Sequence, residues 1–254
     1  MKINVGGRLK MKLAIWFKSE KIPCTYNFLF VSLIKSALMT IDPEFVESLY
    51  YKNGKENQNI KDFAFAVYLN NFRRKKEEFF IDGDIRLTIG TSNYKFLLFL
   101  QNGFMTKKDY QYKEYFLKVM KIQLLHEGLP QEEYGLFQTL SPITIKGQDN
   151  KFLSPFDVEY EGSLQFICNE IMKEISGRQL YKPLRFTPVQ MKKVVVKLKH
   201  DVFSNMNDEE TFFVEAYKGI FKLEGAVEDL KLLTQTGIGY RRSQGFGLIQ
   251  YIGQ

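Results

Sequence analysis

Two stretches of this chain run through strand-period and helix-period segments in the same order, and that repetition constrains the fold more than any other feature. In the first stretch, residues 12–17 read as a strand rich in apolar and aromatic side chains. Over Asn27–Met39, Phe30, Val31, Leu33, Ile34, Ala37 and Leu38 recur at helical spacing, which buries one face. Asp42-Pro43-Glu44 then supplies an N-cap, a proline at the first helical position and an acid in the first turn. Phe45, Val46 and Leu49 form the buried stripe of that short helix, and Gly54 its expected stop. Strands follow over 63–69, 78–81 and 85–89, the last two joined as a hairpin by Asp82-Gly83. A helix over 94–104 and a strand over 115–125 close the unit.

The second stretch repeats the series: a strand over 140–145, a helix over 158–175, strands over 193–199 and 212–223, a helix over 227–233 and a last strand over 247–252. The expected architecture is α+β, two βαββαβ units in tandem, with the boundary in the turn-rich residues 127–135. The first domain accordingly covers 11–126 and the second 136–254. Residues 1–10, ahead of the strand pattern that begins at Met11, read as a leader or tag outside the core.

A hydrophobic content of 44% with 15% aromatics can fill such cores, so disorder is not the expectation. The formal charge of +7 favours a polyanionic partner without identifying one. Cys24 and Cys168 stand far apart with no CxxC, which suggests neither a disulfide framework nor a thiolate metal cluster and points to a reducing cytoplasm. No apolar run approaches the roughly 20 residues of a membrane span, and the start lacks the apolar run of a signal peptide. Neither His126 nor His200 has a partner at metal-ligand spacing, so no metal and no cofactor are expected.

The most informative segment is Gly237-Ile238-Gly239-Tyr240-Arg241-Arg242-Ser243-Gln244-Gly245-Phe246-Gly247. Four glycines permit positive φ and let backbone N–H groups approach a phosphate closely, while Arg241 and Arg242 add fork-shaped donors. Such a loop clamps a sugar-phosphate backbone, or it is a tight turn that needs glycine only for geometry. A dinucleotide fingerprint does not fit, because only seven residues follow Gly247, and a Walker loop lacks its Gly-Lys-Ser/Thr.

The spacing Gly-apolar-Gly, five residues with a basic one among them, then Gly-apolar-Gly resembles the C-terminal signature of the CRISPR-associated repeat RNA endoribonucleases of the RAMP superfamily. Ile22-Pro23-Cys24-Thr25-Tyr26-Asn27, the Leu33-Ile34 helix and Asp42-Pro43-Glu44-Phe45 are similar to that family's N-terminal stretch. Leu140-Ser141-Pro142-Ile143 followed by Lys146-Gly147 is similar to the opening of its second domain. The resemblance implies two ferredoxin-like, RRM-like domains, a role in antiviral defence, and one cut per CRISPR repeat in a precursor RNA. That cut is metal-independent: a ribose 2′-hydroxyl attacks the adjacent phosphate and leaves a 2′,3′-cyclic phosphate. The implied partners are repeat RNA, subunits of a CRISPR effector complex and a second copy of the chain.

Many members place a Leu-His pair near the end of the second helix, where this chain has Leu49-Tyr50-Tyr51. By resemblance the catalytic candidates are Tyr50 in place of the histidine, Lys35 one helix earlier, and Lys52 and Lys55 in the following loop. A ring of lysines would stabilise a crowded phosphate and lower the tyrosine pKa. The RNA-binding candidates are Gly237, Gly239, Arg241, Arg242, Gly245 and Gly247, with Lys193, Lys197 and Lys199 on one face of a strand whose Val194, Val196 and Leu198 face the core. Arg73-Arg74-Lys75-Lys76, the densest basic run, reads as an exposed hairpin loop. Because the histidine is missing, a subunit that holds repeat RNA without cutting it is the alternative function, and a backbone protein of an effector complex the third.

Overall fold

In the computed structural model, described over residues 11–52, 55–56, 59–200 and 210–253, apolar alternation in the strands builds two main sheets, each backed by helices. The first lobe runs β1 (Lys12–Lys18), β2 (Lys21–Pro23), α1 (Asn27–Met39), α2 (Pro43–Tyr50), β3 (Tyr51–Lys52), β4 (Lys55–Glu56), β5 (Phe63–Leu69), β6 (Phe72–Lys75), β7 (Glu78–Ile81), β8 (Ile85–Thr91), α3 (Tyr94–Thr106), β9 (Asp109–Tyr112) and β10 (Tyr115–Leu125). The second runs β11 (Tyr134–Thr139), α4 (Tyr160–Ser176), β12 (Arg185–His200), β13 (Glu210–Glu224), α5 (Val227–Thr236), a 3-10 turn (Arg242–Gln244) and β14 (Ile249–Gly253). The main sheets are ordered β5-β8-β1-β10-β9 and β12-β13-β11-β14, so in each lobe the first and third strands of a βαββαβ unit lie side by side at the centre. This is the tandem ferredoxin-like arrangement expected.

Local chemistry fixes the helices. Asp42 accepts the Phe45 N–H at 2.9 Å to cap α2, and Asn93 accepts the Phe96 N–H at 3.0 Å to cap α3. Gly103 lets α3 lie against α1, since a Cβ there would stand 2.1 Å from the Ala37 carbonyl oxygen. Leu13, Ile15 and Phe17 point into the first core with Phe30, Leu33, Phe63 and Phe65, while Phe137, Ile171, Phe221 and Leu233 build the second.

The lobes meet on the outward face of the first sheet. There the side chains are small: Ala64, Ala66 and Gly90 leave a floor on which Leu140 and Leu248 pack. Lys12, buried on that face, donates to the Ile249 carbonyl at 2.6 Å and pairs with Glu127, tying the first strand to the inter-lobe connection and to the last strand. None of the helices among the described residues is long and apolar enough to cross a membrane.

Several expectations are corrected. Glu78–Ile81 does not pair with the strand at 85–89; β7 pairs with β6 and β2 in a sheet of its own, while β8 pairs with β1 and β5. Asp82-Gly83 is therefore the exit from that hairpin, both N–H groups bonded to the Asn71 carbonyl. The basic run Arg73–Lys75 forms β6 itself, exposed throughout, and turns at Lys76, whose φ is +55°. Helix α2 stops at Tyr50 rather than at Gly54, because Tyr51 turns to extended backbone, and Gly54 lies outside the described residues.

The opening strand of the second unit is Tyr134–Thr139, ahead of the expected 140–145. The run after it starts in the seam between the lobes, where the Leu140 and Ser141 N–H groups bond to the Leu248 carbonyl, and then enters the second core at Ile143 and Ile145, Ile143 forming a single bridge to Tyr217. Strands β12 and β13 are far longer than the apolar runs within them, a continuous antiparallel hairpin with a bulge between Pro188 and Gln190. Residues 1–10 lie outside those described.

Candidate functional site

A polar cleft of roughly 760 Å³ opens between α1 and the end of α2 on one side and the glycine-rich segment on the other. Both groups of residues singled out from the sequence therefore meet at one place, although they are nearly 200 positions apart. Lys35 of α1 donates to the Tyr51 hydroxyl at 2.7 Å, with its ammonium 4.7 Å from the Tyr51 ring centroid and 5.5 Å from that of Tyr50. Lys61 reaches in from the segment before β5, 5.9 Å from the Tyr50 ring, and the second lobe contributes Lys146 and Arg241.

Tyr50 does not match its expected role. Its hydroxyl is buried without a hydrogen-bond partner among the described residues, and burial pushes the phenol above the ordinary tyrosine range. The neighbouring ammonium groups face the ring rather than the oxygen, so desolvation of the phenolate outweighs them. Tyr51, one residue later, carries the hydrogen-bonded hydroxyl. Lys52 and Lys55 face each other in register across the β3–β4 pair directly after Tyr51, but their side chains lie outside the described residues. His126 is exposed beyond the end of β10, and the side chain of His200 falls outside the described set. Among the described residues no histidine lines the cleft.

The two adjacent arginines separate. Arg241 takes a left-handed backbone with φ +57°, which turns its half-buried side chain to the cleft; Nη1 donates to Gln244 Oε1 at 2.7 Å, and the guanidinium lies 4.9 Å from the Phe212 ring. Arg242 enters the 3-10 turn with its side chain pointed inward and only 4% exposed. Its Nη1 donates to the Thr236 carbonyl at 2.6 Å and Nη2 to the Lys61 carbonyl at 2.9 Å, one in each lobe. Burial pushes its pKa down to about 10, so it remains a cation at neutral pH. The expectation that Arg242 faces a nucleic acid is thus corrected: it clamps the lobes together.

The glycines serve the packing of the same segment. Gly237, Gly239 and Gly247 are buried, and their positive φ values accompany close backbone approaches. A Cβ on Gly247 would stand 1.9 Å from the Ile238 carbonyl oxygen, and one on Gly237 2.7 Å from Ala64 Cβ across the seam. Gly245, half-buried, leaves space for Asn27 at the start of α1, whose Nδ2 donates to the Gln244 carbonyl at 2.7 Å. Close packing accounts for the positive φ at these positions, and of the two arginines Arg241 is the one whose side chain lies at the cleft.

Lys193, Lys197 and Lys199 share a face of β12 as expected, with Val194, Val196 and Leu198 packed behind them. They stand apart from the cleft. Lys193 pairs with Glu215 at 2.7 Å and Lys197 with Glu77 at 3.1 Å, while Lys197 and Lys199 line a separate polar groove of roughly 470 Å³ beside Tyr112. The hydrogen bond from Lys197 lowers the Glu77 pKa, so that pair stays charged at neutral pH. Tyr51, Lys61 and Lys146 were not singled out from the sequence. Each is an ordinary surface residue in one dimension, and only the packing of the two lobes assembles them.

A family model described as CRISPR associated protein Cas6, C-terminal, matches residues 125–251, half of the chain. The chain belongs to the Cas6 family. A CRISPR-associated endoribonuclease-like protein Cas6 of Pyrococcus furiosus is 20% identical over 268 residues, covering 96% of this chain and 98% of its own. Among solved structures, that of a Cas6-related gene from Pyrococcus furiosus superposes with a TM-score of 0.77 at 21% identity, over 95% of this chain and 98% of the other. A RAMP protein described as binding different RNA substrates gives 0.76 at 18% identity, over 95% and 99%. These superpositions cover both lobes, so the paired ferredoxin-like arrangement is that of the Cas6 fold throughout.

Proposed function

We propose that this Cas6 chain binds CRISPR repeat RNA in the cleft between its lobes and cleaves it there by attack of a ribose 2′-hydroxyl on the adjacent phosphate, without a metal. The observation that carries this reading is the convergence of Lys35, Lys61, Lys146 and Arg241, drawn from both lobes, on one polar cleft. A strand laid along it places phosphates against four cations, which stabilise the added charge of a pentacoordinate phosphorane. Because Lys35 donates to the Tyr51 oxygen, the hydroxyl hydrogen of Tyr51 is left to be given away. In this mechanism it goes to the departing 5′-oxygen, and the Lys35 ammonium stabilises the phenolate that remains. The 2′-hydroxyl proton passes to solvent hydroxide, since Tyr50 is held neutral by burial. The products are a 2′,3′-cyclic phosphate and a 5′-hydroxyl.

A second reading, a subunit that holds repeat RNA without cutting it, draws support from the buried, unpartnered Tyr50 hydroxyl where the family's base would stand. One assay separates the two. Labelled repeat RNA is incubated with the protein in EDTA, alongside the same RNA carrying a 2′-deoxy substitution at the scissile position. Cleavage of the first alone supports the enzyme; saturable binding with both RNAs left intact supports the holding subunit.

A further inference from the structure

The outward face of the five-stranded sheet carries side chains used by neither the cleft nor the seam. Tyr68 on β5 stands opposite Arg86 on β8, Arg86 opposite Trp16 on β1, and Trp16 opposite Lys121 on β10. This cross-strand row alternates ring and cation. The Arg86 guanidinium lies 5.2 Å from the Tyr68 ring centroid and the Lys121 ammonium 4.8 Å from the Trp16 ring. Strand alternation fixes the face: Leu13, Ile15 and Phe17 enter the core, and so do Leu87 and Phe65, which turns Trp16, Arg86 and Tyr68 outward. Towards the seam the same face narrows to Ala14, Ala66 and Gly90, and the row begins one pleat beyond Ala14 and Ala66.

Packing does not account for the row. Tyr68 is 56% exposed, Lys121 is exposed, and Trp16 and Arg86 are half-buried. One pleat further, exposed Lys18 and Lys118 stand opposite each other. Among the described residues none of Lys18, Lys118 and Lys121 forms an ion pair with an acid, unlike Lys193 and Lys197 on the long hairpin. The Arg86 Nε donor is buried and has no acceptor among the described residues. Flat rings on a sheet face with unneutralised cations between them suit a base stacked on each ring and phosphates held beside it. Tyr68 and Trp16 are two strands apart, about 10 Å, so each ring takes a different base.

We infer that the Tyr68–Arg86–Trp16–Lys121 row is a second RNA site, which takes two unpaired nucleotides of single-stranded RNA outside the segment held in the cleft. Duplex RNA, with its base faces stacked inside the helix, does not fit it. The inference rests on the reading that this chain holds RNA, and its test separates the two. Trp16 is the only tryptophan in the chain, so its emission reports a base arriving on the row. A short labelled oligoadenylate is titrated into the protein while Trp16 emission and the anisotropy of the label are followed together, for the natural chain, Tyr68→Ala, Lys121→Ala and Arg241→Ala.

The expected result is saturable quenching with the same midpoint as the anisotropy and none from a duplex. Tyr68→Ala weakens binding about tenfold, and Arg241→Ala leaves the quenching in place. If oligoadenylate or repeat RNA binds by anisotropy while Trp16 emission stays unmoved, or if Tyr68→Ala leaves the midpoint unchanged, the row is not a base platform, and the cleft reading survives. If neither RNA binds at all, both fall.

Discussion

Replacing Arg242 by Met should destabilise the protein and leave its RNA affinity nearly intact, whereas Arg241→Ala should do the reverse. Arg242→Met keeps most of the apolar stem but withdraws the donors from the Thr236 and Lys61 carbonyls. A buried acceptor left unpaired costs about 1–3 kcal/mol, so two cost about 2–6 kcal/mol. Part is offset because a desolvated guanidinium is no longer held in the interior, and Asp62, whose pKa burial already raises, is deprived of a favourable neighbour. A net loss of about 3 kcal/mol lowers the melting temperature by about 6–12 °C for a chain of this size. Arg241→Ala removes the stacking on Phe212 and one half-exposed hydrogen bond to Gln244, together worth about 1 kcal/mol in stability, but it takes a charged donor from the RNA and lowers affinity about tenfold. Thermal unfolding and RNA anisotropy, the latter measured well below either transition, read the two effects separately. An Arg242→Met protein that melts like the natural chain and yet loses RNA affinity would refute the assignment.

Three further outcomes follow from the same geometry. With Tyr50 held neutral by burial and no histidine among the described residues of the cleft, the logarithm of the single-turnover cleavage rate should climb steadily with pH from 6 to 9, without the plateau that a base of pKa about 6.5 imposes; a plateau beginning near neutrality would contradict the proposed proton path. Lys12→Met strands Glu127 in the interior and should cost about 3–5 kcal/mol in denaturant unfolding, while Lys12→Met with Glu127→Leu recovers most of that loss. Gly247→Ala, which drives a Cβ into the Ile238 carbonyl, should leave little folded protein, whereas Gly177→Ala, with φ +68° but open space around it, should cost only about 1–2 kcal/mol.

Where a segment's surroundings are set by its own periodicity, the sequence was legible. Phe63, Phe65 and Val67 alternate with Ala64, Ala66 and Tyr68, and β5 has the bounds that alternation indicates. The series of elements was legible for the same reason. The run from Leu140 to Ile145 misled because Leu140 packs in the seam while Ile143 and Ile145 enter the second core from a segment that makes only one bridge to a strand, and burial of either kind looks like burial in a sheet. The strand at Glu78–Ile81 misled because pairing depends on which sheet a hairpin joins, which no local pattern encodes. At the site, the glycine segment and the end of α2 were found, but not the division of labour within them. Arg241 and Arg242 are the same residue side by side, and a left-handed backbone at the first sends one outward and the other in. Tyr50 and Tyr51 divide similarly where the helix gives way to extended chain, turning one hydroxyl into the interior and the other towards Lys35.

The central claim is that an RNA strand lies across the two lobes against Lys35, Lys61, Lys146 and Arg241. The most direct measurement is the salt dependence of repeat RNA affinity for the natural chain and for Lys35→Ala, Lys146→Ala and their combination. Every phosphate that a variant no longer neutralises should reduce the slope of log affinity against log salt by about 0.7, so the double variant, with one lysine taken from each lobe, should show a slope shallower by about 1.4. Slopes unchanged in all three variants would place the RNA elsewhere on the molecule and contradict the account.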